Sequence, residues 1–254
     1  MLHYVAYHTE HEKSSEVCSR IAEAANIPLE HVKNYVEGTI PIVYGLFRGT
    51  DVVMRKAFWQ NLPFLYVDHG YFKPGHYSGY YRINVSWTYF HIKMHYATPT
   101  KPDRLYKLGL TLNSMKVNKH KIAVICKPSF EGSLHLPLIK VYPEEWVDGV
   151  KYYLEANGFT AYVSTKHEKN RLMDWLNKCD VDLVVGHDSA AIVTALVHGY
   201  NVMNISMTNP FEVVDEDSRQ KFFAMLANTQ YKLCEITEDV LNNLVSTGCA
   251  VVLK

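Results

Sequence analysis

Apolar residues along this chain come in short extended runs separated by stretches with helical spacing. Leu2 to Tyr7 is an apolar run of β-formers, Ser14 to Ala25 repeats its apolar positions at helical spacing, and Ile40 to Phe47 is a second extended run. That order predicts the start of a βαβ series. Gly45 and Gly49 punctuate the end of the run, a helix is expected from Thr50 to Asn61, and Phe64 to Val67 predicts a third strand that delivers Asp68-His69-Gly70 at its carboxyl end. From Tyr71 to Tyr96 the chain is dense in Tyr, Trp and Phe, interrupted by Gly75 and Gly79, and reads as a long loop region. A second series follows: strand Lys121 to Cys126, loop Lys127 to Leu136, helix Pro143 to Asn157, strand Phe159 to Ser164, helix Asn170 to Lys178 and strand Val181 to Val185. After the turn Gly186-His187-Asp188 come a helix, Ala190 to His198, a strand, Tyr200 to Ile205, and two closing amphipathic patterns, Asp217 to Gln230 and Glu235 to Leu244. The alternation predicts an α/β protein: two Rossmann-like domains with parallel sheets facing across a cleft, at 1–112 and 113–254, the second carrying the closing helices.

The most informative stretch is Asp182 to Ile205, DLVVGHDSAAIVTALVHGYNVMNI. An apolar strand enters a turn of His187, Asp188 and Ser189, and Ser189 stands where it would cap a helix whose first turn is Ala190-Ala191. Backbone N–H groups and the positive end of the helix dipole would then be approachable past small side chains, which is the geometry that holds phosphate. Asp and Ser also cap many helices that bind nothing.

With its strand, serine turn, helix and glycine before a further strand, this segment resembles the donor-binding region of glycosyltransferases of the GT-B fold. The chain is also similar to a group of phage and bacterial glycosyltransferase-like proteins through YGLFRG at 44–49, YVDHGYF at 66–72, YYRINVS at 80–86, STK at 164–166, VVGHDSAAIVTALVHGYNV at 184–202 and FFAMLANTQYKLCEI at 222–236. The resemblance implies a nucleotide-sugar donor bound by the C-terminal domain, no cofactor and no obligatory metal. The chain departs by carrying His198 and Asn201 where such proteins often have a small residue and Pro, and by having Thr194 and Leu196 where a ribose-binding Glu is common.

Other residues would share the site if the strands run as expected. Lys127 and Ser129 follow one strand and Thr165 and Lys166 another, supplying cations and hydroxyls for phosphate oxygens on a leaving nucleotide. Arg48, Tyr81 and Arg82 are candidates for the acceptor side, and Asp68 or His69 for the base that takes the acceptor's proton, with Asp68 preferred. The acceptor is a hydroxyl of a glycan or of a hydroxylated pyrimidine in DNA. For the latter, Lys101, Arg104, Lys107, Lys116, Lys119 and Lys121 would meet phosphates and the aromatics of 71–96 would stack on an extruded base. Two other classes compete: a binding protein for nucleotides or nucleotide sugars without turnover, and a sugar-nucleotide epimerase.

Composition narrows rather than directs. Lys plus Arg and Asp plus Glu both number 26 in 254 residues, which argues against coating nucleic acid by bulk charge. No apolar run approaches the roughly 20 residues of a membrane span, and the N-terminus lacks the order of a signal peptide, so a cytoplasmic location is expected. The five cysteines are far apart and contain no C-x-x-C pair, so core or idle surface thiols are expected. His91 and His95 have zinc-helix spacing without the glutamate of H-E-x-x-H, and His8 and His11 read as ordinary histidines. No G-x-G-x-x-G or P-loop motif is present.

Overall fold

A computed structural model describes residues 2–45, 49–72, 79–86, 103–117, 119–128, 142–165, 171–205 and 211–252. The chain divides into two compact units, one of residues 1–109 and 224–254 and the other of 110–223.

The first unit begins β1 (Tyr4–His8), α1 (Glu12–Ala25), β2 (Leu29–His31), β3 (Ile40–Tyr44), α2 (Thr50–Trp59), β4 (Phe64–His69), β5 (Tyr81–Ser86) and α3 (Asp103–Leu108). In β1 and β3 four consecutive residues are buried, as expected of parallel strands covered on both faces. Helix α1 buries Val17, Cys18, Ile21, Ala22 and Ala25, one face of a 3.6-residue period, and stops at Asn26 in the left-handed conformation. Burial pushes the Cys18 thiol up to about 12, so it acts as a small core residue.

Two sequence expectations change here. The aromatic region read as a loop contains β5, which runs antiparallel to β4 with Asp68 opposite Arg82 and His69 opposite Tyr81. Asp68 and His69 are therefore the last residues of a strand and not a turn beyond it. The expected parallel sheet is accordingly mixed, in the order β11-β5-β4-β3-β1-β2.

The second unit contains β6 (Ile122–Cys126), α4 (Pro143–Ala156), β7 (Thr160–Ser164), α5 (Leu172–Lys178), β8 (Leu183–Gly186), α6 (Ala190–Val197), β9 (Asn201–Asn204) and β10 (Phe211–Val213), followed by α7 (Glu216–Ala227). Its sheet has the order β10-β9-β8-β6-β7, parallel except for β10. The core under α4 joins Val147, Val150 and Leu154 to Ala123, Ile125, Leu183 and Val185.

The end of the chain differs from the expected division. β11 (Gln230–Tyr231) pairs with β5, and a 3-10 turn (Leu233–Glu235) leads into α8 (Glu238–Val252). Tyr231, Leu233, Ile236, Leu241, Leu244 and Val245 join the core of Val17, Ile21, Ile40 and Leu65. The closing segment thus completes the first unit, because strand pairing and apolar burial hold it there. Among the described residues no helix is long and apolar enough to cross a membrane.

Candidate functional site

In the second unit, β6 leads through α4 to β7 on one side, and the chain returns through α5 to β8 on the other side of β6. The winding reverses between β6 and β8, and the carboxyl ends of strands at such a point are the usual ligand position. Lys127 leaves β6 and His187 to Ser189 leave β8 at this point.

The turn after β8 is built by a side-chain pair that the sequence reading missed. Asp188 takes a left-handed φ of 47°. Its N–H donates to Asn204 Oδ1 at 2.8 Å, and Asn204 Nδ2 donates to Asp188 Oδ1 at 2.7 Å. Both residues are buried, and the Asp188 Oδ1 is taken up by Asn204. Gly186 lets the strand pass against α6: a Cβ there would stand 2.8 Å from Ile192 Cγ1. Held in this way, Ser189 caps α6, its Oγ accepting from Ala191 N at 3.2 Å, while Ala190 is exposed. His187 meets the Trp146 ring edge-on, with centroids 5.8 Å apart.

Lys127 is engaged as well, its Nζ forming an ion pair with Glu144 in the first turn of α4. A pocket of about 430 Å³ lies beside that pair, between Lys127-Pro128 and Tyr142 to Glu145; the Ser189 turn is not part of its lining. Thr165 follows β7 at the same edge of the sheet. Ser129, Lys166 and Arg48, like His91 and His95, lie outside the described residues.

In the first unit, alternation along β4 separates the two candidates for the base, because successive strand residues point to opposite faces. Asp68 shares a face with Tyr66 and, across the ladder, Arg82. Its Oδ2 lies 2.5 Å from Arg82 Nη2 and accepts from Tyr66 Oη at 3.1 Å, and its Oδ1 accepts from the His69 N–H at 2.7 Å. Arg82 also donates to Tyr71 Oη. Burial would raise the Asp68 carboxyl, but the Arg82 charge and the hydrogen bonds from His69 N–H, Arg82 and Tyr66 outweigh it and hold the group below the usual carboxylate value. A carboxylate so placed is a weak proton acceptor at neutral pH.

His69 looks to the other face. Its Nε2 is 3.1 Å from Tyr44 Oη, and its ring stacks on Tyr81 with centroids 5.7 Å apart. Tyr81 is fully buried in the core, which corrects its expected place in an open site.

The basic stretch is divided by its contacts. Arg104 Nε donates to the Gln230 carbonyl at 2.8 Å and Arg104 pairs with Glu235, also at 2.8 Å. Lys116 Nζ lies 3.8 Å from the Tyr200 ring centroid. These two cations serve packing within their own units and do not add to a continuous stripe for nucleic acid.

This fold is shared with a solved sugar transferase. The beta Kdo 2,4 transferase of Thermosulfurimonas dismutans KpsC aligns with a TM-score of 0.50 at 13% identity, over 89% of this chain and 91% of that one. The beta Kdo 2,7 transferase of the same KpsC aligns with a TM-score of 0.47 at 13% identity, over 96% and 99%. No protein-family model and no curated protein sequence matches the chain. The α/β fold in two units with mostly parallel sheets is the GT-B-like class that the alternation of elements predicts.

Proposed function

We propose that the protein is a glycosyltransferase that moves a sugar from a nucleotide-sugar donor to a hydroxyl acceptor. The observation that carries this reading is the start of α6: a serine-capped helix N-terminus with exposed Ala190 at the switch point of a parallel sheet. Such a terminus favours the donor's phosphate and stabilises the charge that grows on it as the bond to the sugar's anomeric carbon breaks. The acceptor oxygen forms the new bond to that carbon and gives its proton to a base. Of the two candidates, Asp68 is held as a carboxylate by Arg82, Tyr66 and the His69 N–H, so the role is assigned to His69, whose imidazole Nε2 exchanges a hydrogen bond with Tyr44 Oη. The shared fold with a Kdo transferase agrees with this reading and does not by itself name a substrate.

Thermal denaturation of the full chain against nucleoside mono- and diphosphates and their sugar esters tests the donor site. A nucleotide at a hundred times its dissociation constant should stabilise the protein by about 2.7 kcal/mol. Ser189→Trp, which covers the helix start, should abolish that shift. Ser189→Ala should cost about 1 kcal/mol of stability through the lost cap and leave most of the nucleotide effect. Absence of stabilisation by every nucleotide at millimolar concentration would overturn the reading.

The engagement of Asp68 favours one rival, a nucleotide binder without turnover. Release of nucleotide from a sugar donor by the wild type and not by His69→Ala, with donor binding equal in both, excludes it.

A further inference from the structure

The first sheet has a switch point of its own. β1 leads through α1 to β2 on one side, whereas β3 and β4 follow on the other, so the winding reverses between β1 and β3. A pocket of about 700 Å³ opens there, within the roughly 300–1,000 Å³ of small-molecule sites, lined by Glu10, His11, His31, Lys33, Gly49 and Lys56 among others.

We propose that this pocket binds an anionic group, a carboxylate or phosphate, carried by the acceptor. The acceptor role rests on the transferase reading; anion binding does not.

The lining is rich in donors. His31 Nδ1 accepts from the Lys33 N–H at 3.2 Å, which leaves the proton of the neutral ring on Nε2 and makes that atom a donor. Lys56 stands 5.4 Å from the Tyr35 ring centroid and brings its charge to the same pocket. Lys33 pairs with Glu10 at 2.9 Å, so an incoming anion competes with Glu10 for that ammonium. Helices α1 and α2, of 14 and 10 residues, begin here with His11 and Gly49 as caps, and neither cap supplies a side-chain hydrogen bond. Gly49 has φ 97°, a left-handed conformation open to glycine, and a Cβ there would stand 3.4 Å from Val32 Cγ2. Cations and imidazole donors lining a cavity at two helix starts make an anion site that a neutral sugar would not need.

The full chain is titrated with sodium phosphate, sodium glucuronate and glucose while the histidine ring signals are followed by NMR. Phosphate or glucuronate should shift His11 and His31 saturably, and glucose should not; whichever anion binds more tightly names the group. Lys56→Glu should weaken binding about tenfold, the loss of one charge-assisted contact. Glu10→Gln should tighten it, and Lys151→Glu on α4, where Lys151 pairs with Glu155, should change nothing. Failure of both anions to saturate at millimolar concentration, or equal binding by Lys56→Glu and wild type, overturns the proposal. A separate titration of the same protein with a nucleoside diphosphate, followed by the Ala190 and Ala191 amide signals, reports the donor site, so loss of either site is seen independently of the other.

Discussion

Replacing Arg82 with methionine should destabilise the protein by about 3 kcal/mol at neutral pH, near the lower end of the cost of stripping one partner from a buried ion pair. Arg82 is mostly buried and Asp68 partly so, with side-chain exposures of 12% and 29%. Without the guanidinium, burial acts on Asp68 against only the hydrogen bonds from Tyr66 and the His69 N–H. The acid response should then weaken. In the wild type the Asp68 carboxyl lies below its unfolded value, so its contribution is complete above the ordinary carboxylate pKa near 4 and is lost as pH falls through the lowered folded value. In Arg82→Met the folded carboxyl rises from its lowered value, and the stability that this site loses as pH falls should shrink. Urea denaturation between pH 3 and 7, a range spanning the ordinary carboxylate value near 4, measures both limbs. The double variant Asp68→Asn/Arg82→Met should recover much of the loss, because no charge is left without its partner. A double variant that recovers stability and still transfers sugar would show that Asp68 is a structural anchor. If Arg82→Met is as stable as wild type with an unchanged acid limb, the pair contributes nothing and Asp68 returns as a candidate base.

Asn204→Leu should have an effect of similar size on the other unit and should also remove nucleotide binding. Leucine keeps the branching of asparagine but carries bulkier methyl groups and no hydrogen-bonding atoms, so some overpacking adds to the lost bonds. Two buried atoms lose a partner, the Asp188 N–H and one carboxylate oxygen. At about 1–3 kcal/mol for each such group, a loss of about 3 kcal/mol is expected from urea denaturation. The functional consequence follows from φ 47° at Asp188: a left-handed non-glycine residue persists where its surroundings hold it, and without Asn204 the turn can relax and Ser189 can leave its capping position. Stabilisation by nucleotide should therefore fall along with basal stability. Asp188→Asn keeps an oxygen facing Asn204 Nδ2 and should retain nucleotide binding, since the Asp188 charge is not used on the ligand. A large loss of nucleotide affinity in Asp188→Asn without loss of stability would contradict this assignment.

Where local pattern sets local structure, the sequence was readable. Four-residue apolar runs became strands covered on both faces, and helical spacing became helices with one buried side. Ser189 was recognisable as a cap from the small residues that follow it, and the structure bears out that cap. One strand was missed despite a strong signal: Tyr81 to Ser86 alternates apolar and polar residues through its length, a period of two that the surrounding aromatic density obscured. The sequence placed Asp68 and His69 just past a strand and preferred Asp68; their place within the strand sends the two side chains to opposite faces.

The sequence by itself determined the type and order of the longer periodic elements, though not β2, β5, β10, β11 or α3, because helical and extended periodicities are properties of neighbouring residues. Only the tertiary structure decided which polar groups meet. Asp68 and Arg82 are 14 residues apart, Asp188 and Asn204 are 16 apart, and the Gln230 side chain accepts from the Tyr71 N–H across 159 positions. Such partners depend on strand register and on which strands become neighbours, and those are settled when whole faces are buried together. The same holds for the closing segment: its apolar pattern was visible, but pairing with β5 and burial beside α1 placed it in the first unit. The pocket among Glu10, His31, Lys33 and Lys56 also appears only in three dimensions, at the point where the winding from β1 and β3 reverses.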